Sequence, residues 1–232
     1  MPAAPPAVGF FGKLPARGDF VRRDLPQAFV DAWDAWLAAG IAASKARLGA
    51  DWLAAFLEAP VWRFALAAGV AGPDIAGIFL PSVDRAGRYF PLTLAAACPQ
   101  ARLLPAAPDW FEALAAAGLS ALDEATTLEA FEAQVANLPA PPAPPPPCPF
   151  AGGTAAADPV ALSASPALFW THGGARVARR FAALPGLPPA DWFVALLADR
   201  TDAAQQPPAA AFVPPGGPAP PSLADTLFGD AP

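Results

Sequence analysis

The chain has 232 residues, a net charge of −6 and a hydrophobic fraction of 55%. Much of that fraction is alanine, which buries little, but the seven Trp and sixteen Phe suffice for one core of ordinary size. With 14 Lys and Arg against 20 Asp and Glu, the chain lacks the basic footprint of a nucleic-acid binder and of a surface that seeks anionic lipid.

Two cysteines, Cys98 and Cys148, sit outside any CxxC spacing and make no disulfide framework. No run of about 18 apolar residues escapes breakers, and no basic start leads into an apolar run, so neither a membrane span nor a secretory leader is expected. These features predict a cytoplasmic protein without membrane insertion. Charge is uneven. Residues 1–100 carry nine of the 14 basic residues and a net of +1, whereas 101–232 carry −7.

After a Pro/Ala leader, Gly9 to Leu14 reads as a strand. Pro15 to Arg23 reads as a charged loop, with Gly18 free to take a positive φ. Asp24-Leu25-Pro26-Gln27 reads as a helix start, with Asp24 as cap and Gln27 as capping-box partner. The helix that follows lines up Phe29, Trp33, Trp36, Leu37 and Gly40 at helical spacing, with Asp31 opposite and Asp34 at the edge of the stripe. A second short helix over 51–59 repeats the pattern with Trp52, Leu53, Phe56 and Leu57, and Pro60 stops it.

Three strands are expected next, over 61–68, 75–81 and 88–97. Trp62, Phe64 and Leu66 share one face and leave Arg63 on the other, and Phe90, Leu92 and Leu94 alternate in the third. Asp84-Arg85-Ala86-Gly87 fits a type I turn closed by a left-handed glycine, so 61–98 reads as a β-meander. Pro81 and Pro91, lacking an amide donor, belong at strand ends or on an edge. Helices are expected over 108–118 and 127–137.

Residues 139–149 contain eight prolines in eleven positions and read as a stiff, unpacked spacer, followed by a loose Gly/Ala-rich stretch to 160. Structure resumes at Leu168-Phe169-Trp170-Thr171. A turn at Gly173-Gly174 lets the run through Phe181 pair back, and a last helix is expected over 189–198. The fold class expected is α+β: a largely antiparallel central sheet, a meander, flanked by helices, with a disordered Pro-rich spacer and C-terminal tail. One domain would cover 9–198, interrupted by the spacer 139–160, and a disordered tail would cover 199–232.

Few residues fit known chemistry. Gly12-Lys13 lacks the Gly-rich loop before it and the Ser or Thr after it that a P-loop needs. Thr171-His172-Gly173-Gly174 has no GxSxG elbow to serve, so His172, the single histidine, reads as a turn residue. One histidine and two distant cysteines make no nitrogen/sulfur metal site. Asp19, Asp34 and Asp84 are candidate acids, bases or hard-cation ligands, but each lies beside Arg or aromatic residues, and structural ion pairs and turn caps are the commoner outcome. The group Arg17, Arg22, Arg23, Arg85 and Arg88 suits a phosphate or carboxylate if its two loops converge, and otherwise neutralises Asp19, Asp24 and Asp84 locally.

GKLPARGDFVRR at 12–23, WDAWL at 33–37, APVWRFAL at 59–66 and PSVDRAGRYFPLTL at 81–94 resemble the TagF (ImpM) family of bacterial type VI secretion systems. LFWT at 168–171 and LPGLPPADWFVALL at 184–197 are similar more loosely. The resemblance implies a cytoplasmic accessory protein that restrains secretion after translation, with a forkhead-associated scaffold protein as partner and no cofactor. It carries over Lys13, Gly18, Asp19, Arg22, Asp84, Arg85, Gly87 and Arg88 as partner-binding or loop-organising positions, none as catalytic or metal-binding. The reading is therefore a regulatory binding protein and not an enzyme. The alternatives are an enzyme or sensor for a phosphorylated or acidic ligand, with the Arg cluster as clamp and Asp19 or Asp84 as base, and an adaptor that bridges components through its Pro-rich arms. A deep pocket at the loops favours the enzyme, a flatter surface the binding module.

The tail offers too little apolar surface to dock. Deleting 203–232 is expected to shift the melting temperature by less than about 2 °C. A large drop in a thermal melt would show that the tail packs on the fold.

Overall fold

The computed structural model describes residues 7–101, 104, 107–143 and 165–199. Strand β1 (Gly9–Gly12) is answered at once by β2 (Val21–Arg23), with Phe10 opposite Arg23 and Gly12 opposite Val21. The end of the stretch expected as a loop is thus an edge strand. Val21 is buried, and Phe20 stacks on Phe11 at 5.6 Å and meets Phe90 edge-on at 4.8 Å, which folds the chain back.

Helix α1 (Gln27–Leu48) starts at Pro26, whose carbonyl accepts from Val30 N at 3.1 Å. Asp24 is not its cap. Asp24 sits two residues early with φ +52°, and the Arg22 guanidinium organises the entry by donating to Leu25 O and to the Gln27 side chain. A turn of 3-10 helix leads into α2 (Trp52–Leu57), which buries Trp52 and Phe56 against Tyr89 but leaves Leu53 exposed.

The meander forms as expected: β3 (Trp62–Leu66), β4 (Ile75–Leu80) and β5 (Leu92–Ala97) pair antiparallel in turn. β5 begins later than the alternation predicted. Only a Val83–Tyr89 bridge precedes it, and Pro91 has no amide to extend the ladder. The break puts Phe90 in one core and Leu92 and Leu94 in the other. Helices α3 (Pro108–Ser120) and α4 (Leu128–Ala136) follow, the second capped by Thr127 Oγ1 accepting from Ala130 N at 3.2 Å. Then come β6 (Ala167–Thr171), β7 (Arg180–Leu184), a 3-10 turn and the short α5 (Val194–Leu197), so the last expected helix is α-helical only in its final part.

The seven strands form one sheet in the order β2-β1-β5-β4-β3-β6-β7, every neighbour antiparallel. Strands from before and after 139–160 therefore share it. One face carries Trp62, Phe64 and Leu66 and is covered by α1, α2 and α5; the other carries Leu92, Leu94 and Trp170 and is covered by α3 and α4. The first core centres on Trp33, fully buried, 4.4 Å from Phe64, 5.3 Å from Phe29 and 4.7 Å from Trp36 between ring centroids. Buried indoles need acceptors, and Trp33 finds Thr93 Oγ1 at 2.9 Å, Trp36 the Pro188 carbonyl at 2.8 Å and Trp62 the Leu196 carbonyl at 2.9 Å. A Cβ on Gly40 would stand 2.3 Å from the Phe193 ring, so the glycine lets the α5 region close on α1.

The expected spacer and tail fall largely on 144–164 and 200–232, outside the described residues. Their margins belong to the fold. Pro139 O accepts from Trp110 Nε1 at 2.9 Å, and Asp199, placed in the tail by the sequence, pairs with Arg180 and accepts from Ala178 N at 2.6 Å. Among the described residues no helix is long and apolar enough to cross a membrane.

Trp33→Ala removes the centre of the larger aromatic cluster and strands Thr93 Oγ1. A loss on the order of 3–5 kcal/mol is expected in denaturant unfolding. A loss below about 1 kcal/mol would mean the ring is not buried in solution.

Candidate partner-binding site at the converging loops

The loop after β1 and the β4–β5 connection come together around one carboxylate. Ser82, fully buried, donates from Oγ to Lys13 O at 2.7 Å, and Arg85 N donates to Arg17 O at 2.9 Å, so the two loops are joined at both ends. Between these ties the Asp84 side chain is wholly buried. Its Oδ1 accepts from the backbone N–H groups of Ala86 and Arg88, each at 2.9 Å, and its Oδ2 from Arg88 Nε at 2.7 Å and from Lys13 Nζ. Gly87 takes φ +76° and Asp84 O accepts from Gly87 N at 2.9 Å, the turn the sequence predicted.

Burial alone would raise the Asp84 pKa. The Lys13 ammonium, the Arg88 side chain and the two backbone donors outweigh it and hold the carboxyl well below the usual carboxylate range. Asp84 is thus an ionised anchor at neutral pH with its oxygens occupied, and has no lone pair suitably free for a general base. Lys13, 5% exposed, is equally committed: beyond Asp84 it lies 4.6 Å from the centroid of the Phe20 ring. Arg88 spans the loops, donating also to Gly18 O. Gly18 does not take the positive φ expected of it; its carbonyl is what the site uses.

Arg22 stays with the β2–α1 connection, and Arg23 pairs with Glu132 at 2.7 Å. Asp19 is exposed and Arg85 is exposed, neither with a side-chain partner among the described residues. Phe20 is 48% exposed beside them. Arg17 reaches Glu129 of α4 at 2.9 Å across an open cleft of about 750 Å³ lined by Pro15, Arg17, Val83, Arg85, Thr126 and Glu129. Sequence reading missed Ser82, Phe20 and Glu129. Glu129 lies 112 residues from Arg17, and nothing local to any of the three signals the contact. Among the described residues no group of His, Cys, Asp and Glu could hold a metal ion.

Residues 9–138, which contain both loops, match the TagF N-terminal domain, described as type VI secretion system-associated. The chain belongs to the TagF family. A search of curated proteins finds no match. Among solved structures, the TagF chain is similar to PA0076 from Pseudomonas aeruginosa PAO1, seen at 2.05 Å resolution, with 39% identity, a TM-score of 0.75 and coverage of 91% of this chain and 100% of that one. The TagF match thus includes Lys13 and Asp84 and the exposed Asp19, Phe20 and Arg85.

Because the folded Asp84 titrates lower than its ordinary value of 3.8, its contribution to stability is complete above that value and is lost as pH falls through the folded one. Asp84→Asn leaves Lys13 buried without its counter-charge. Denaturant unfolding should show a loss on the order of 3–5 kcal/mol at pH 7, with the gap to the parent narrowing as pH falls below 3.8. Equal stability at pH 7 would remove the pair from the framework of the fold.

Proposed function

We propose that this chain is a cytoplasmic accessory regulator of a type VI secretion system, a post-translational repressor that acts by binding a forkhead-associated scaffold component and does not turn over a substrate. The type VI association rests on the family. The forkhead-associated partner and the sign of regulation are those implied by the resemblance of the loop motifs.

The observation that carries the binding mode is the occupied state of Asp84. The carboxylate best placed in the loops for acid–base chemistry is spent on holding them together. What the rigid frame presents outward is Asp19, Phe20 and Arg85 beside an open cleft. A half-exposed aromatic ring flanked by charges of both signs suits a protein partner, for which aromatic and Arg side chains act as anchors. Asp84 and Arg88 belong to the frame, so the surface is best probed at residues that the frame does not use.

A double substitution, Asp19→Ala with Arg85→Ala, is expected to leave the melting temperature near that of the parent, since neither side chain has a partner in the frame, and to abolish co-purification of the scaffold component. A repressor by occupancy also acts stoichiometrically. Secretion measured against expression level, with partner copies counted in the same cells, should fall only as the ratio of the two proteins approaches one. Full repression at a small fraction of the partner's copy number would indicate turnover and reject the binding mode.

A further inference from the structure

A second charged cluster lies on the α3 side of the sheet, separate from the loops in its contacts. Arg63, the one charged residue of β3, is 1% exposed. Its Nη2 donates to Glu112 Oε1 of α3 at 2.6 Å, and His172 Nε2, just past β6, lies 3.2 Å from the same oxygen. His172 and Arg179 flank the turn between β6 and β7, next to the last paired residues Thr171 and Arg180. This hairpin therefore carries the imidazole to the carboxylate that Arg63 also meets, with a second guanidinium near enough to act on the imidazole's charge.

The cluster is under-satisfied. Arg63 Nε and Nη1, Arg179 Nε and Nη2 and His172 Nδ1 are all buried without a hydrogen-bond partner. Buried guanidinium donors left unpaired are costly, and an unsatisfied group of this kind in a native fold calls for a missing partner. Arg63 and His172 share the one Glu112 carboxylate, and Arg179 lies close enough to His172 to act on its charge, so positive groups outnumber the carboxylate. His172 feels the excess: burial first, then Arg63 and Arg179, push its pKa below the ordinary value, with Glu112 opposing. Glu112, whose side chain is 49% exposed, is the carboxylate that meets both Arg63 and His172.

We propose that Arg63, His172 and Arg179 form a binding site for a phosphate-type oxyanion, for which Glu112 competes. The unpaired donors belong to β3 and to both sides of the β6–β7 turn, and guanidinium edges match the oxygens of a tetrahedral anion in pairs. An arriving dianion also favours protonation of His172, which turns the bare Nδ1 into a third donor and balances the charge. The site is independent of the reading of the loops and of the secretion role.

The test is calorimetric titration of the full chain with inorganic phosphate at fixed ionic strength, with acetate and chloride as separate arms. Saturable phosphate binding is expected, weakened by about tenfold or more in Arg179→Gln, as loss of a charge-assisted pair implies, and tightened in Glu112→Gln. Arg179 is only partly buried, so its variant should fold even if Arg63→Gln does not. Thermal melts in phosphate should show a larger rise for Glu112→Gln than for the parent, because the anion replaces the lost carboxylate. No saturable binding would mean that water serves these donors and would overturn the site. Equal binding by parent and Arg179→Gln would place the anion elsewhere, and acetate binding as well as phosphate would overturn the assignment to a tetrahedral anion.

Discussion

The Asp84 carboxylate accepts four hydrogen bonds from a lysine, an arginine and two backbone amides, in a place where water cannot reach it. A buried ion pair stabilises only when the desolvated oxygens are fully satisfied, and here they are. The consequence is mechanical. Lys13 directly follows β1, Asp84 lies between β4 and β5, and β5 pairs with both β1 and β4 in the sheet. The ion pair therefore fixes the loops that leave one end of the sheet, and Arg88 extends the tie to Gly18.

The rest of the sheet is held by aromatic packing. Trp33 and Trp36 of α1 reach across to Phe64, Phe79 and Phe169 on three adjacent strands. β6 comes from beyond the Pro-rich stretch, yet its Phe169 enters the same stack. Such a core resists local change, because each ring has several partners and the Trp33 and Trp36 indoles both have their acceptors. A rigid platform with a presented edge suits regulation by occupancy, where the surface must already be shaped when the partner arrives.

The two charged clusters differ in a telling way. At the loops every buried charge is matched, and the unpaired side chains are those on the surface. At Arg63 the reverse holds: one guanidinium is almost completely enclosed and most of its donors have no partner. The same residue types thus serve as a finished internal frame at one place and as an unfinished receptor at the other. What separates them is the local count of acceptors, with four bonds on Asp84 against a single shared Glu112 oxygen.

Much of the fold was legible in the residues. The two-residue alternation around Trp62, Phe64 and Leu66 and the helical spacing of Phe29, Trp33 and Trp36 placed these side chains on facing surfaces, and they do pack together. Asp84 to Gly87 announced its turn. Errors arose where a short-range rule was overruled by a distant partner. Asp24 looked like a helix cap, but Arg22 from the edge strand organised that entry. Asp199 looked like tail, but Arg180 held it. Arg63 read merely as the polar side of a strand, since its burial depends on α3 and on a hairpin more than 100 residues later. By itself the sequence determined the periodic elements, the turn and the motif residues, because these follow from neighbours along the chain. Only the tertiary structure decided that Lys13 and Asp84 share one buried contact, that Asp19, Phe20 and Arg85 remain exposed and that Arg63 lacks partners. Burial and charge pairing are properties of space, set when seven strands from both halves of the chain close into one sheet.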